Sequence, residues 1–266
     1  MTKVSFLTIT IFMLSKSLSI AAIVVMNGLT HIHSIQPGAS VQGKIIVKNQ
    51  GTTSKRVVIY KNDLLTNCDG SFTYSEPGEN QSSLCPYLET NVDERVLAPN
   101  EEYIVFYDIN LTTSTISEGS FWGLLMIEGA DPVKEEESNN ISVNSKVRYA
   151  VQIIADIGGF RSPEIIYDQV SFKDTNQPDG SKLKTLDIVL KNMGVFASRV
   201  KLIMELYDEQ GNHVTTLEGQ QRRVYPANCT EFFFPLSGLD PHSYNGVLVA
   251  DNGEDLFGAN VSFEVE

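Results

Sequence analysis

The chain has 266 residues, of which 42% are hydrophobic and 20% are charged, a balance typical of globular proteins. This length allows one large domain or two domains of ordinary size. A formal net charge of −13 disfavours nucleic acid and anionic lipid surfaces as partners, because both attract cationic faces.

The N-terminus has the order of segments that is typical of a secretory signal peptide. Lys3 precedes an apolar run over residues 4–14, and small residues follow over residues 17–22. This order predicts that residues 1–21 are a signal peptide. An uncut anchor helix is the alternative, but the apolar run is short and is broken at residues 15–16. We expect the mature chain to be periplasmic, secreted or at the cell surface, with no membrane insertion.

Two segments of the chain repeat one pattern. In each, an apolar strand runs into Lys-Asn-x-Gly, at residues 48–51 and 191–194, and the next strand opens with Arg-Val. Each copy later has a proline turn before an aromatic strand, and then an aromatic-x-Gly strand. A repeat of this size indicates two copies of one small domain rather than one enzyme-sized core.

Short runs of β-branched and aromatic residues alternate with Gly, Pro, Asn and Asp clusters, and no long stretch has a helical period. The predicted strands of the first copy are 22–33, 43–49, 56–63, 71–75, 94–98, 102–110, 121–128 and 147–156. Those of the second copy are 164–171, 184–192, 199–208, 212–217, 221–225, 230–236, 244–250 and 257–265. This strand count predicts an all-β chain of two tandem immunoglobulin-like β-sandwiches, residues 22–157 and 163–266, joined by a short linker.

The last strand of the first domain follows a polar, acidic segment over residues 131–146, which we expect to be an exposed loop. Along that strand, alternate residues project to opposite faces. Val147, Tyr149, Val151 and Ile153 therefore share one face.

The first domain resembles a family of secreted immunoglobulin-like proteins of Bacteroidetes-type bacteria, whose N-terminal domain is similar to that of periplasmic pilus chaperones. The resemblance covers residues 27 to about 155, and the second domain matches only as a generic sandwich. The residues that carry it are Gly28-Leu29-Thr30-His31, Gln36-Pro37-Gly38, Lys48-Asn49, Val58-Ile59-Tyr60-Lys61-Asn62-Asp63, Asp69-Gly70, Tyr74, Glu76-Pro77-Gly78, Val96-Leu97-Ala98-Pro99-Asn100-Glu101 and Glu118-Gly119-Ser120-Phe121-Trp122-Gly123-Leu124-Leu125-Met126-Ile127-Glu128.

The resemblance to pilus chaperones implies two domains at an angle, with the last strand of the first domain lent to a client. It also implies an Arg near the first strand and a Lys on the last strand, which bind the client's terminal carboxylate in the interdomain cleft. Lys146 or Arg148, at the start of that last strand, could fill the second role. No Arg or Lys lies between residues 17 and 43, so the first role has no occupant.

The three cysteines suggest one candidate disulfide. Cys68 and Cys85 lie in one long loop region of the first domain, and they could pair in an oxidising compartment. Cys229 lies in the second domain and is expected to be a free or buried thiol.

Few residues suggest chemistry. His31 and His33 share one face of a strand and could begin a metal site if a carboxylate or third histidine joined them; the alternative is the polar face of an edge strand. No Gly-x-Ser-x-Gly, His-Glu-x-x-His or Cys-x-x-Cys motif occurs, so we expect no enzyme, no metal and no cofactor. Trp122 either fills the core or forms a sugar-stacking platform.

The sequence therefore predicts a non-enzymatic, extracytoplasmic protein that binds or assembles another protein, in a chaperone-like manner. Sheet-edge strand pairing is the expected route, because sheet edges have unpaired backbone groups. The candidate contact residues are Lys146, Arg148, Val151 and Ile153. The alternative function is a carbohydrate- or matrix-binding adhesin module that uses Trp122.

Overall fold

The fold was analysed in a computed structural model, which describes residues 22–130, 146–159, 161–176 and 182–265. The predicted signal peptide and nearly all of the predicted acidic loop lie outside these residues. In the first half, the strands are β1 (Ile23–Val25), β2 (Thr30–Ile35), β3 (Ser40–Asn49), β4 (Lys55–Thr66), β5 (Phe72–Ser75), β6 (Leu88–Thr90), β7 (Glu94–Leu97), β8 (Glu102–Asn110), β9 (Gly119–Ala130) and β10 (Arg148–Ile157). A 3₁₀ turn, Cys85–Tyr87, precedes β6.

Two sheets form the first half, with strand orders β1-β3-β8-β6 and β2-β10-β9-β4-β5, and β7 also pairs with β4. Their facing residues form one apolar core, because alternate residues of each strand point inward. The N-terminal segment contributes a strand to each sheet: β1 pairs antiparallel with β3, whereas β2 pairs parallel with β10. The turn between β1 and β2 contains Gly28, whose φ of 87° lies in the left-handed region that glycine favours.

The second half is built in the same way. Its strands are β11 (Ile165–Asn176), β12 (Lys182–Asn192), β13 (Ser198–Tyr207), β14 (His213–Val224), β15 (Cys229–Pro235), β16 (His242–Asp251) and β17 (Leu256–Val265). They form two sheets, β11-β12-β15 and β14-β13-β16-β17, around a second apolar core. The prediction of an all-β chain with two immunoglobulin-like sandwiches is confirmed, and the exact boundaries at 157 and 163 stay a prediction.

The two Lys-Asn-x-Gly motifs have the same structural role. Asn49 is fully buried, and its side-chain amide donates to the carbonyls of Thr53, Leu97 and Ala98 at 2.8–3.1 Å. Asn192 is also fully buried, and its amide donates to the carbonyls of Phe196 and Val224 at 2.7 and 3.1 Å. In both copies the asparagine oxygen accepts the amide of the motif's glycine. One buried asparagine thus fastens the same loop in each sandwich.

The disulfide differs from the prediction. Cys68, in the connection between β4 and β5, is bonded to Cys229 at the start of β15, with their Cα atoms 4.7 Å apart. Cys85 is free and buried, and burial raises the pKa of its thiol to about 12. The predicted Cys68–Cys85 pair is therefore wrong. The reason is that Cys85 packs inward against Gly123, whereas the β4–β5 connection extends to the second sandwich.

Candidate functional site

Strand β10 has an edge that is only partly covered. It pairs antiparallel with β9 along its whole length, from Arg148 opposite Glu128 to Ile157 opposite Gly119. On its other side, β2 pairs only with Gln152–Ile157. Among the described residues, no strand pairs with Arg148–Val151 on that side. We call these four residues the open segment.

The backbone groups of the open segment point outward in a defined pattern. The carbonyl of Val147 accepts the amide of Gly129 on β9 at 3.2 Å, whereas the amide of Gln152 donates to the carbonyl of Leu29 at 2.8 Å. Because successive residues of a strand direct their backbone groups to opposite sides, Arg148 and Ala150 direct theirs away from β9. The N–H and C=O groups of these two residues are the ones that another strand could reach.

Two of the predicted contact residues face inward. The side chains of Val151 and Ile153 are fully buried in the core of the first sandwich. The predicted alternation along this strand is therefore correct, but its apolar side packs against the chain's own opposite sheet. Both side chains are therefore covered within the first sandwich, and the backbone groups of Val151 point towards β9, so neither residue presents a free group to a partner in this structure.

The two predicted cationic contacts, Lys146 and Arg148, are exposed and share one acceptor. Both donate to the carboxylate of Glu128, at 3.2 and 2.8 Å. These hydrogen bonds, chiefly the one from Arg148, lower the pKa of Glu128. The Arg148 guanidinium also lies 5.8 Å from the ring centre of Tyr60, whose hydroxyl donates to Glu128. The result is a small polar cluster beside the open segment.

This polar cluster lies at the wrong end of β10 for the carboxylate-binding role that the resemblance implied. Arg148 begins the strand, and Ile157, nine residues later, ends it beside the linker to the second sandwich. At about 3.3 Å per residue, roughly 30 Å separates Arg148 from the linker end. The contact with the second sandwich extends along β10 to Gln152, whose side chain donates to the hydroxyl of Tyr225 at 2.5 Å, whereas both cations bind Glu128 of the first sandwich. At its linker end β10 carries an acid, Asp156.

Asp156 takes part in the contact between the two sandwiches. Its carboxylate accepts a hydrogen bond from the hydroxyl of Ser120 on β9 at 2.5 Å, and burial raises its pKa. The Ser120 hydroxyl in turn accepts the amide of Ala197 at 2.8 Å, while the Ser120 amide donates to the carbonyl of Val195 at 2.9 Å. This chain of bonds fixes β9 and β10 to the loop before β13.

Trp122 is the apolar centre of the same contact. It is 1% exposed, its ring centre lies 4.4 Å from that of Tyr225, and Ile154 packs beside both. The indole N–H donates to the carbonyl of Leu64 at 3.0 Å. The interpretation of Trp122 as core filling is right about its burial, but the ring packs against Tyr225 of the second sandwich rather than in the core of the first. A sugar-stacking platform would need an exposed ring, so the structure removes the observation on which the adhesin alternative depended.

An open cavity of about 430 Å³ borders this contact. The start of β9, Glu118–Phe121, forms one wall, and Met193–Val195 form part of the other. Lys191 is the cation among its lining residues. Nothing local in the sequence shows which segments of the two sandwiches meet, so the sequence does not predict the residues of this region, Lys191, Ser120, Asp156 and Tyr225.

His31 and His33 contact a tyrosine hydroxyl rather than the carboxylate or third histidine that a metal site would need. Nδ1 of His31 and Nε2 of His33 lie 2.9 and 2.8 Å from the hydroxyl of Tyr107 on β8. Among the described residues, no group of three or more His, Cys, Asp or Glu side chains is placed to hold a metal ion. Within the residues that the structure describes, no helix has the length and apolar character that a membrane crossing requires.

No protein-family model matches the chain, and no curated protein matches it in sequence. Solved structures do match it. One, described as a chaperone–tip adhesin complex vital for activation of CFA/I fimbriae biogenesis, has a TM-score of 0.50 at 11% identity and covers 92% of this chain and 98% of its own. Another, from the CsuC–CsuE chaperone–tip adhesion subunit pre-assembly complex of Acinetobacter baumannii, has a TM-score of 0.49 at 13% identity and covers 90% and 98%. The first of these matches shows a similar fold, and its coverage of this chain includes both sandwiches rather than the first alone.

Proposed function

We propose that this chain is a non-enzymatic, chaperone-like protein that acts outside the cytoplasm and binds an extended segment of a partner protein along β10. The observation that carries the proposal is the open segment, which is held by β9 on one side and is unpaired by any described strand on the other. Unpaired strand edges are the surfaces to which extended peptides add.

The surroundings of the open segment suit an extended partner with apolar side chains. Val147 is 37% exposed next to it, and Leu29, whose carbonyl receives the amide of Gln152, is 47% exposed. The backbone of Arg148 and Ala150 supplies the directional hydrogen bonds, and these apolar side chains supply area that a partner can cover. The function follows from backbone geometry rather than from reactive groups.

The contact between the sandwiches also supports binding of a partner along β10, because it holds this strand on a rigid frame. The Cys68–Cys229 bond, the Trp122–Tyr225 contact and the hydrogen bonds of Ser120 all join the two halves. An edge held in this way loses little conformational freedom when a partner binds.

The proposal is tested by Ala150→Pro. Proline lacks the N–H that Ala150 directs away from β9, so the substitution removes a hydrogen bond to a partner and none to β9. We expect the variant to keep its circular dichroism spectrum and to lose proteins that co-purify with the wild type from the envelope fraction of the native host. Ala150→Ser, which keeps the N–H, is the matched control and should retain them. Equal recovery of the same proteins by all three would refute strand pairing at this edge.

A further inference from the structure

The contact of His31 and His33 with Tyr107 is unusual for its position in the sandwich. Tyr107 is fully buried, and its ring lies against Gly43, where any added Cβ would overlap the ring. Its hydroxyl crosses from the β3–β8 sheet to reach both imidazoles on β2. Three polar side chains thus meet where apolar packing would be expected, and they tie β2 to the opposite sheet.

One arrangement of protons satisfies this contact. Nε2 of His31 is buried and has no hydrogen-bond partner among the residues that the structure describes, so a proton there would leave a buried donor unsatisfied. The proton of His31 therefore belongs on Nδ1, which donates to the Tyr107 oxygen, and the Tyr107 hydroxyl donates to Nε2 of His33. Both imidazoles are neutral in this arrangement.

A further proton on either ring breaks the arrangement. On His33 it would turn Nε2 into a donor, so that two N–H groups would face the Tyr107 oxygen and the hydroxyl proton would have no acceptor. On His31 it would occupy the partnerless Nε2. Two charged rings on one oxygen would also repel each other. Consistently, burial and the neighbouring His31 lower the pKa of His33.

Among the described residues, no charged group offsets the cost of protonating His33. The inward-facing residues of the strands packed against His31 and His33 carry no charge. They are Val41 and Gly43 of β3, Val105 and Tyr107 of β8, and Ile153 and Ala155 of β10. Burial raises the pKa of Tyr107 above its ordinary value, so its hydroxyl stays protonated. Protonation of His33 is therefore coupled to separation of β2 from the rest of the sandwich.

We propose that the His31–Tyr107–His33 contact is a pH-sensitive latch that holds β2 on β10 at neutral pH and releases it on acidification. Release would lengthen the unpaired edge of β10 from the open segment to the whole of Arg148–Ile157, since β2 covers the remainder. An extended protein segment could then pair with all ten residues. This use of the latch rests on the proposed function, but the release itself does not.

The direction of the pH effect follows from linkage. The released strand has histidines with the ordinary pKa of about 6.5, whereas the latched strand holds the pKa of His33 below that value. The released form therefore binds more protons below about pH 6.5, so docking of β2 is fully favoured above this pH and weakens as the pH falls through it.

Hydrogen exchange on the full chain tests the latch without any partner. The amides of Gln152, Ile154 and Asp156 face β2, and those of Val151, Ile153 and Ala155 face β9, so the second set is an internal reference. Between pH 7.5 and 5.5, after correction for intrinsic rates, we expect the first set of amides to lose protection relative to the second set, because the pKa of His33 is lowered only while β2 is docked.

Variants separate the latch from other titrating groups. The double variant His31→Gln/His33→Gln should abolish the pH response, whereas His213→Gln, in the second sandwich, should retain it. Tyr107→Phe removes the shared hydroxyl and serves as the second variant if the double variant does not fold. It should lower the exchange protection of the Gln152, Ile154 and Asp156 amides already at pH 7.5. An unchanged ratio in the wild type would overturn the proposal. So would a loss of protection that persists without the two histidines, which would assign it to another titrating group. Loss of partner capture by Ala150→Pro concerns only the proposed function.

Discussion

Asn100 and Ala227 occupy the same position in the two sandwiches. Their φ angles are 62° and 59°, and their amides donate to the carbonyls of the two repeat asparagines, Asn49 and Asn192, at 2.8 and 3.0 Å. The left-handed conformation is strained for most residues, but asparagine adopts it more readily than alanine. The first copy therefore has the better residue at this turn.

This equivalence predicts that Ala227→Asn stabilises the protein, by about 0.5–1 kcal/mol in the free energy of unfolding. Ala227 is exposed, so the larger side chain meets no packing obstacle. Urea denaturation of the variant measures the change. The reciprocal substitution Asn100→Ala should destabilise by a similar amount. If neither substitution changes the midpoint, the turn conformation carries no strain.

The two buried asparagines should be intolerant of aspartate. In Asn49→Asp, an oxygen would replace the nitrogen that now donates to three carbonyls, and a charge would be buried. We expect a loss of at least about 3 kcal/mol in unfolding free energy, and a similar loss for Asn192→Asp. Asn252, which also caps a turn but is only half-buried, is the control and should tolerate the same change. Wild-type melting temperatures for both buried variants would contradict this assignment.

The sequence was sufficient for the local structure. Period-two alternation of apolar residues located nearly all strands, because each strand buries one face. Two errors came from turns. The predicted strand 22–33 divides into β1 and β2, since the turn at Gly28 moves the chain to the other sheet. The predicted strands 212–217 and 221–225 form one strand, β14, with a bulge near Gly219 where the pairing with β13 shifts.

Contacts between the sandwiches were beyond the sequence. The disulfide joins residues 161 positions apart, and Trp122 meets Tyr225 although no local pattern relates them. The edge of β10 was predicted as a binding surface, but the sequence alone did not reveal that β2 covers six of its ten residues. These features depend on the order and direction of strands in the folded sheets, which alternation does not encode.

The Trp122–Tyr225 contact should couple the two sandwiches energetically. Trp122→Ala removes a fully buried indole and should cost about 3–5 kcal/mol. Tyr225→Leu should cost less, because Leu keeps part of the apolar contact. A double-mutant cycle should give a coupling energy of about 0.5–1.5 kcal/mol, as for other packed aromatic pairs. The exposed pair Phe72 and Tyr74, with ring centres 5.6 Å apart, is a control in which the cost of each truncation should be far smaller. Additive effects at Trp122 and Tyr225 would mean that the contact does not couple the halves.

The disulfide should be the main covalent restraint between the two halves. It closes a loop of 161 residues, for which the chain-entropy estimate gives about 5 kcal/mol. We therefore expect reduction, or the double variant Cys68→Ser/Cys229→Ser, to lower the midpoint of chemical unfolding markedly. Cys85→Ala should leave the sensitivity to reductant unchanged, since its thiol is free. Peptide mapping of the oxidised protein provides the decisive measurement. A cross-linked peptide that contains Cys68 and Cys229 is the expected product, whereas one that joins Cys68 to Cys85 would restore the pairing first predicted from the sequence.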